Sequence, residues 1–174
     1  MKTAELLNNK TIKAKEKVEK ISKWLLDGSL PTDELIVFAQ KAKNTQKATC
    51  IEAMEFATKQ NSKIADENIF AFVTKTLTEK APRVKWESAK VIGNIAHLFP
   101  AQLNRSITNL LTNSEDNSTV VRWASAFALG EILKLKTNHN QDLLPTIEAI
   151  CAREQDNGVK KKYLDAIKKV KNLV

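Results

Sequence analysis

The chain has 174 residues, 43% of them hydrophobic and 28% charged, with four glycines and four prolines; this balance suits one soluble domain or a short repeat array with long helices. A formal charge of +8 arises from 28 Lys plus Arg against 20 Asp plus Glu, and most of the excess is lysine, which serves solubility more often than fixed recognition. Two cysteines, Cys50 and Cys151, are too few for a disulfide scaffold and are expected as buried thiols, with a bridge between them left open.

No long apolar run follows Met1, so neither a secretory signal nor a membrane span is expected, and a cytoplasmic location is the default. Sequons at Asn9, Asn104 and Asn117 are then chance matches. Residues 3–27 read as one helix, or as two broken near Asn8 and Asn9. Ala14, Val18, Ile21 and Leu25 recur at helical spacing among lysines and glutamates, a surface helix with one buried stripe. Trp24 either joins that stripe or covers the next repeat. Residues 1–30 are therefore expected as an N-terminal helical cap.

Gly28 ends this element and Pro31 opens the next. The following helices are expected in antiparallel pairs: 32–43 with 45–59, 64–79 with 82–98, 101–112 with 119–135, and 142–153 with 159–173. Pro82, Pro100 and Pro145 fall at or near helix starts, and the run from Asn113 to Ser118 is rich in side chains that compete for local backbone bonds. The helix over 119–135 is apolar nearly all round, which places it in the middle of an array or along a binding surface.

The organising feature is an internal duplication. Arg83-Val-Lys-Trp-Glu-Ser-Ala-Lys-Val-Ile-Gly-Asn-Ile is answered by Val120-Val-Arg-Trp-Ala-Ser-Ala-Phe-Ala-Leu-Gly-Glu-Ile, with Trp86 and Trp123, and Gly93 and Gly130, each 37 residues apart. A fixed period of this size is the signature of a solenoid. Cys50 aligns with Trp86 at an offset of 36, and Tyr163 with Trp123 at an offset of 40, as degenerate copies. Gly93 and Gly130 each cost about 1 kcal/mol in helix propensity relative to Ala; their recurrence predicts that a neighbouring helix comes close at both.

These residues resemble a HEAT-repeat protein. Val121-Arg-Trp-Ala-Ser-Ala-Phe-Ala-Leu-Gly130 follows the family's second-helix pattern, Val84-Lys85 with Gly93 is a second copy, and Leu144-Pro145 matches the first-helix opening. The resemblance covers about residues 32–173. It implies an all-α fold, a right-handed α-α superhelix of HEAT-like antiparallel helix pairs with about nine helices in all, residues 31–174 supplying about four repeats continuous with the cap. It is nearly silent on function, because such arrays serve as scaffolds, adaptors, regulatory subunits and occasionally nucleic-acid enzymes.

The resemblance also implies a ladder in which Lys85, Arg122 and Lys162 meet acidic turn residues of adjacent repeats, Glu79, Asp116 and Asp156 being the acids at hand. On the second helices it implies an outward, concave stripe. In the second pair the stripe is Arg83, Glu87, Lys90, Asn94 and His97; in the third, Val120, Ala124, Phe127, Glu131 and Lys134; in the first, Lys47, Ile51, Met54, Thr58 and Asn61; in the fourth, Lys160, Leu164, Ile167 and Lys171. Phe127 beside Val120 stands where the neighbouring copy has Lys90, which makes it a candidate contact surface. A competing reading puts both side chains against the next repeat as core.

Chemistry is poorly represented. His97 and His139 are the only histidines, no Cys cluster or Gly-rich loop is present, and no catalytic residue, metal site or cofactor is expected. The favoured function is a non-enzymatic scaffold or adaptor for a protein or peptide partner. The alternative is nucleic acid, which the resemblance would place near the DNA-alkylation-repair glycosylases. Its basis is lysine crowding at both ends: Lys10, Lys13, Lys15, Lys17, Lys20 and Lys23 in the first helix, and Lys160, Lys161, Lys162, Lys168, Lys169 and Lys171 in the last.

Overall fold

The computed structural model describes residues 2–172; Met1, Leu173 and Val174, which fall in the expected cap and last helix, lie outside the described residues. Among the described residues the chain is all-helical, with ten α-helices in five antiparallel pairs. The first pair is short: α1 (Lys2–Asn8) and α2 (Ala14–Leu26). Asn9 separates them by accepting hydrogen bonds from the backbone N–H and the hydroxyl of Thr11 at 2.8 and 2.7 Å, so a side chain takes over local backbone bonding and the helix stops. Lys17 donates its ammonium to the Leu7 carbonyl at 2.8 Å, closing the end of α1. Gly28 then leaves α2 with φ of 75°, a conformation that glycine adopts without Cβ strain.

The next pair is α3 (Thr32–Lys41) with α4 (Asn44–Gln60). In the third pair, α5 (Glu67–Thr76) starts later than its hydrophobic pattern suggests, because Ile64 belongs to a 3₁₀ turn and Asp66 caps the helix, accepting from the Ile69 N–H at 2.9 Å. Its partner is α6 (Pro82–Ile95), with Pro82 in the first turn where a missing N–H is harmless. Two 3₁₀ turns, Ala96–Leu98 and Pro100–Gln102, delay α7 (Leu103–Asn113), which pairs with α8 (Thr119–Lys134). The last pair is α9 (Asn140–Arg153) and α10 (Asn157–Lys171). Ser118 and Asp156 cap α8 and α10 by accepting from the N–H groups of Val121 and Val159.

The pairs stack so that α2, α4, α6, α8 and α10 form one closely packed row, each helix against the next, whereas α3, α5 and α7 touch one another more lightly. Closer spacing on one side of a stack curves it toward that side, so the second helices form the inner face of an armadillo/HEAT-like superhelix. The two rows are also held differently. Inner helices meet through buried Ile51, Met54, Ala89, Ile92, Ala126 and Leu129. Outer helices are linked at repeat spacing by polar side chains: Asn68 to Asp33, Gln102 to Glu67, and Thr74 to Ser106.

Caps, burial and ion pairs fix the repeat register. Lys47 Nζ meets Glu79 at 2.9 Å, Lys85 Nζ meets Asp116 at 2.7 Å, and Arg122 Nε meets Glu154 at 3.1 Å. Lys47, Lys85 and Arg122 are therefore equivalent, which sets α4 at an offset of 38 from α6 rather than 36. Ala48, not Cys50, stands in the Trp86 position. The caps Ser118 and Asp156, the buried pair Val121 and Val159, and the buried pair Ala128 and Ala166 likewise place α10 at 38 from α8, not 40. Tyr163 thus occupies the position of buried Ser125 rather than that of Trp123, and its side chain is fully buried.

Candidate interaction face

With this register the inner face reads as a grid in which each rung has one residue from α4, α6, α8 and α10. The rungs are Thr45, Arg83, Val120 and Gly158; then Thr49, Glu87, Ala124 and Lys162; then Glu52, Lys90, Phe127 and Asp165; then Phe56, Asn94, Glu131 and Lys169; and finally Lys59, His97, Lys134 and Asn172. The earlier stripes for the first and fourth pairs therefore shift: Ile51 and Met54 are fully buried between helices, and Leu164 faces away from this grid. Within the central pairs, Ala124 is 0% exposed and Glu87 4%, so these two belong to the helix contacts and not to an open surface. The physical reason is local. Position 87/124 lies on the side of each helix that turns toward the neighbouring second helix.

Val120 is 49% exposed. Phe127 is half-buried and belongs to both of the readings its sequence position allows: one side of its ring lies on α6, where a Cβ at Gly93 would come within 2.3 Å of it, and the remainder lines an open groove. Gly93 is thus a socket for the ring. Gly130 meets α10 instead, where a Cβ would lie 3.0 Å from that of Ala166. Trp123 stacks on Phe127 at 6.2 Å between centroids, and Lys162 places its ammonium 4.9 Å from the Trp123 ring and 5.9 Å from the Phe127 ring. Both are distances at which a cation is attracted to an aromatic face. Lys162 is consequently an aromatic contact rather than a ladder residue, and Asp156 is a helix cap rather than a ladder acid.

The α4–α6 part of the face is a charge network. Trp86 Nε1 donates to Glu87 at 2.8 Å, Lys90 donates to Glu87 at 3.2 Å and lies 3.8 Å from Glu55, and Arg83 pairs with Glu52. Burial pushes the Glu87 carboxyl above the usual range, opposed by Lys90 and by the Trp86 N–H. The ladder acids behave in the opposite sense. Desolvation raises Asp116, but the Lys85 ammonium, the Ser118 N–H and Arg122 together hold it below the usual range. Glu154 is raised by burial and lowered further by Arg122 and the N–H groups of Asp156 and Gln155, with a net downward shift.

At the other end of the face, α8 and α10 enclose a groove of about 440 Å³. Phe127, Gly130 and Ala166 form its floor, and Glu131, Lys134, Lys162, Asp165, Lys168, Lys169 and Asn172 its walls. Lys134, Lys168 and Lys169 each carry a visible pattern in the sequence, but the groove itself was hidden there. Aligning Tyr163 with Trp123 rotates α10 by two residues and takes Asp165, Lys169 and Asn172 off the shared face.

The described residues contain no group of three or more His, Cys, Asp or Glu side chains placed to hold a metal, and no helix among them is long and apolar enough to cross a membrane. Both cysteines are free and buried; desolvation pushes the Cys50 thiol up to about 12, so it stays protonated at neutral pH. The basic clusters of α2 and α10 lie at opposite ends of the inner row with α4, α6 and α8 between them, roughly 35–40 Å apart at ordinary helix spacing.

No family model matches the chain, and no curated protein matches it either. Solved structures do. A designed armadillo repeat protein in complex with the peptide (KR)4 superposes with a TM-score of 0.74 at 18% identity, covering 97% of this chain and 80% of that one. A computationally designed armadillo repeat protein for modular peptide recognition gives 0.73 at 16% identity, covering 96% and 80%. The complex of CpcE and CpcF of phycocyanin lyase from Nostoc sp. gives 0.71 at 19% identity and covers 94% of each chain. At these identities the likeness is one of fold, and it defines the chain as an armadillo/HEAT-like repeat superhelix.

Proposed function

We propose that this chain is a non-enzymatic interaction scaffold of the cytoplasm that holds a protein or peptide segment along its second-helix face. The observation that carries the reading is the continuous inner row on which Trp86, Trp123 and Phe127 are half-buried beside exposed Val120 and interleaved with charged side chains. Large amphipathic rings held rigid by stacking and hydrogen bonds supply contact area at little entropic cost, and such residues dominate interface energetics. Two of the similar folds, designed for or solved with peptides, support the same use of the architecture.

The nucleic-acid alternative is disfavoured because Arg83 and Lys90, which stand between the basic ends, are already paired with Glu52, Glu55 and Glu87. Affinity recovery from native lysate, with and without nuclease, tests the choice when wild type is compared with Val120→Asp. Val120 is exposed, so the substitution should change stability by no more than about 0.5 kcal/mol while depleting specifically recovered proteins. Identical recovery by both forms, or loss of all bound species on nuclease treatment, would remove this reading.

A further inference from the structure

The groove between α8 and α10 differs from the rest of the inner face in its charge. Four lysines, Lys134, Lys162, Lys168 and Lys169, share it with two carboxylates, Glu131 and Asp165. Lys134 is neutralised by Glu131, and Lys162 lies over the aromatic pair. Among the described residues no carboxylate pairs with Lys162, Lys168 or Lys169. Lysines in the last turn of a helix are ordinarily explained by its dipole, and this accounts for Lys134, Lys168 and Lys169. It does not account for Lys162, which lies mid-helix, is partly buried and is aimed across α8 into the same groove.

The floor is apolar and exists because Gly130 and Ala166 are small. A volume of about 440 Å³ exceeds that of one side chain and falls within the range of ligand sites. One step along the row the cations are already engaged: Arg83 pairs with Glu52, and Lys90 with Glu55 and Glu87. A long anionic polymer continuing along the face would compete with those pairs, whereas a short anionic stretch confined to the groove would not.

Resting on the scaffold reading, we propose that the α8–α10 groove docks an acidic peptide segment. An aliphatic or aromatic side chain of the segment enters between Phe127 and Ala166, and flanking carboxylates meet Lys162, Lys168 and Lys169.

The test is fluorescence anisotropy of the whole protein with a labelled Glu-Glu-Leu-Glu-Glu peptide, a Lys-Lys-Leu-Lys-Lys control of equal length, and a short single-stranded DNA. The acidic peptide should saturate, weaken severalfold as salt is raised through the physiological range, and weaken about tenfold or more in a Lys162→Met, Lys168→Gln, Lys169→Gln variant. Lys162→Met keeps the aliphatic stem on the rings, and circular dichroism melting verifies that the triple variant folds. The exposed double variant Lys168→Gln, Lys169→Gln should give an intermediate loss. No saturation, equal affinity for wild type and triple variant, or tighter binding of DNA through the same lysines would overturn the proposal. If instead the basic peptide alone binds and loses affinity in Val120→Asp, the groove assignment falls while the scaffold reading stands.

Discussion

Gly93 and Phe127 behave as one unit, because the ring of one second helix fills the space that a side chain on the previous one would need. A methyl group at position 93 would lie 2.3 Å from a ring carbon, so Gly93→Ala must displace Phe127 from Trp123 and Lys162. Overpacking of this kind costs about 1–3 kcal/mol, against a helix-propensity gain of about 1 kcal/mol for Ala over Gly. The sign should therefore depend on the partner: destabilising in wild type, neutral or stabilising in Phe127→Ala. Urea denaturation of the four proteins of this cycle measures it, and a coupling near zero would show that Phe127 does not occupy the Gly93 socket. Glu87 gives a second residue-scale outcome. Its carboxyl is raised in the folded protein chiefly by burial, so the native state binds more protons than the unfolded chain and ionised Glu87 lowers stability as pH rises through that window. Glu87→Gln keeps an acceptor for Trp86 Nε1 and should raise the melting temperature at pH 7, the gain shrinking at acid pH where wild-type Glu87 is itself protonated. A gain that is independent of pH would exclude titration as its cause.

The helices carry the ladder, whose cations start α4, α6 and α8 and whose acids sit in the turns one repeat ahead. Arg122 is the most connected rung, donating to both Glu154 carboxylate oxygens and to the carbonyls of Asp116 and Asn117. The Glu154 side chain is only 5% exposed, so Arg122→Met strands a buried carboxylate and should cost about 3–5 kcal/mol. Asp116 and Glu154 are held below the usual carboxylate range, so their contribution is present above the unfolded pKa and is lost as pH falls through the folded one. Wild type should therefore lose stability in that acid window, and Arg122→Met should lose less; parallel pH profiles would argue against the pair. The same turns explain what the sequence showed of these elements and what it hid. Helix pairing, the caps at Ser118 and Asp156 and the socketing glycines all leave local signatures, so the paired helices and their order were legible, and so was the equivalence of α6 and α8, which share thirteen-residue patterns. Sequence pattern alone places the first and last of the four copies two residues off, because the small residues around Cys50 match the spacing around Trp86 and the Tyr163 ring matches that of Trp123. Ala48 sits where Trp86 does, set by the ion-pair ladder, and Tyr163 sits where Ser125 does, set by buried contacts and the helix caps; neither register needs the aromatic side chain to be kept. The groove depended on that register and was lost with it. The place of α2 in the inner row was equally obscured, since its lysine-rich surface reads as a cap and only packing against α4 reveals the continuation.

At the scale of the molecule, stability in a stacked array is close to a sum of nearest-neighbour interfaces. In the inner row α6 and α8 are each covered on both sides by another second helix, whereas α10 has a neighbour there only in α8, and α2 only in α4. The central helices also carry the densest set of fully buried side chains, among them Ile92, Ile95, Leu129 and Ile132. Amide exchange should therefore be graded: slowest in α6 and α8, faster in α9 and α10 and in α1 and α2 by at least roughly tenfold, equivalent to about 1.4 kcal/mol or more in opening free energy. The gradient follows from the number of interfaces that must break, so Leu129→Ala, costing about 2–5 kcal/mol, should flatten it by accelerating α6 and α8 toward the rates of the ends. An acidic peptide in the α8–α10 groove should act in the reverse direction, slowing α10 most because it bridges the terminal interface, with little change at α2. Native-state hydrogen exchange read by mass spectrometry measures all three profiles. A single uniform rate across the array would mean that it opens as one cooperative block, and would refute the additive picture for this protein.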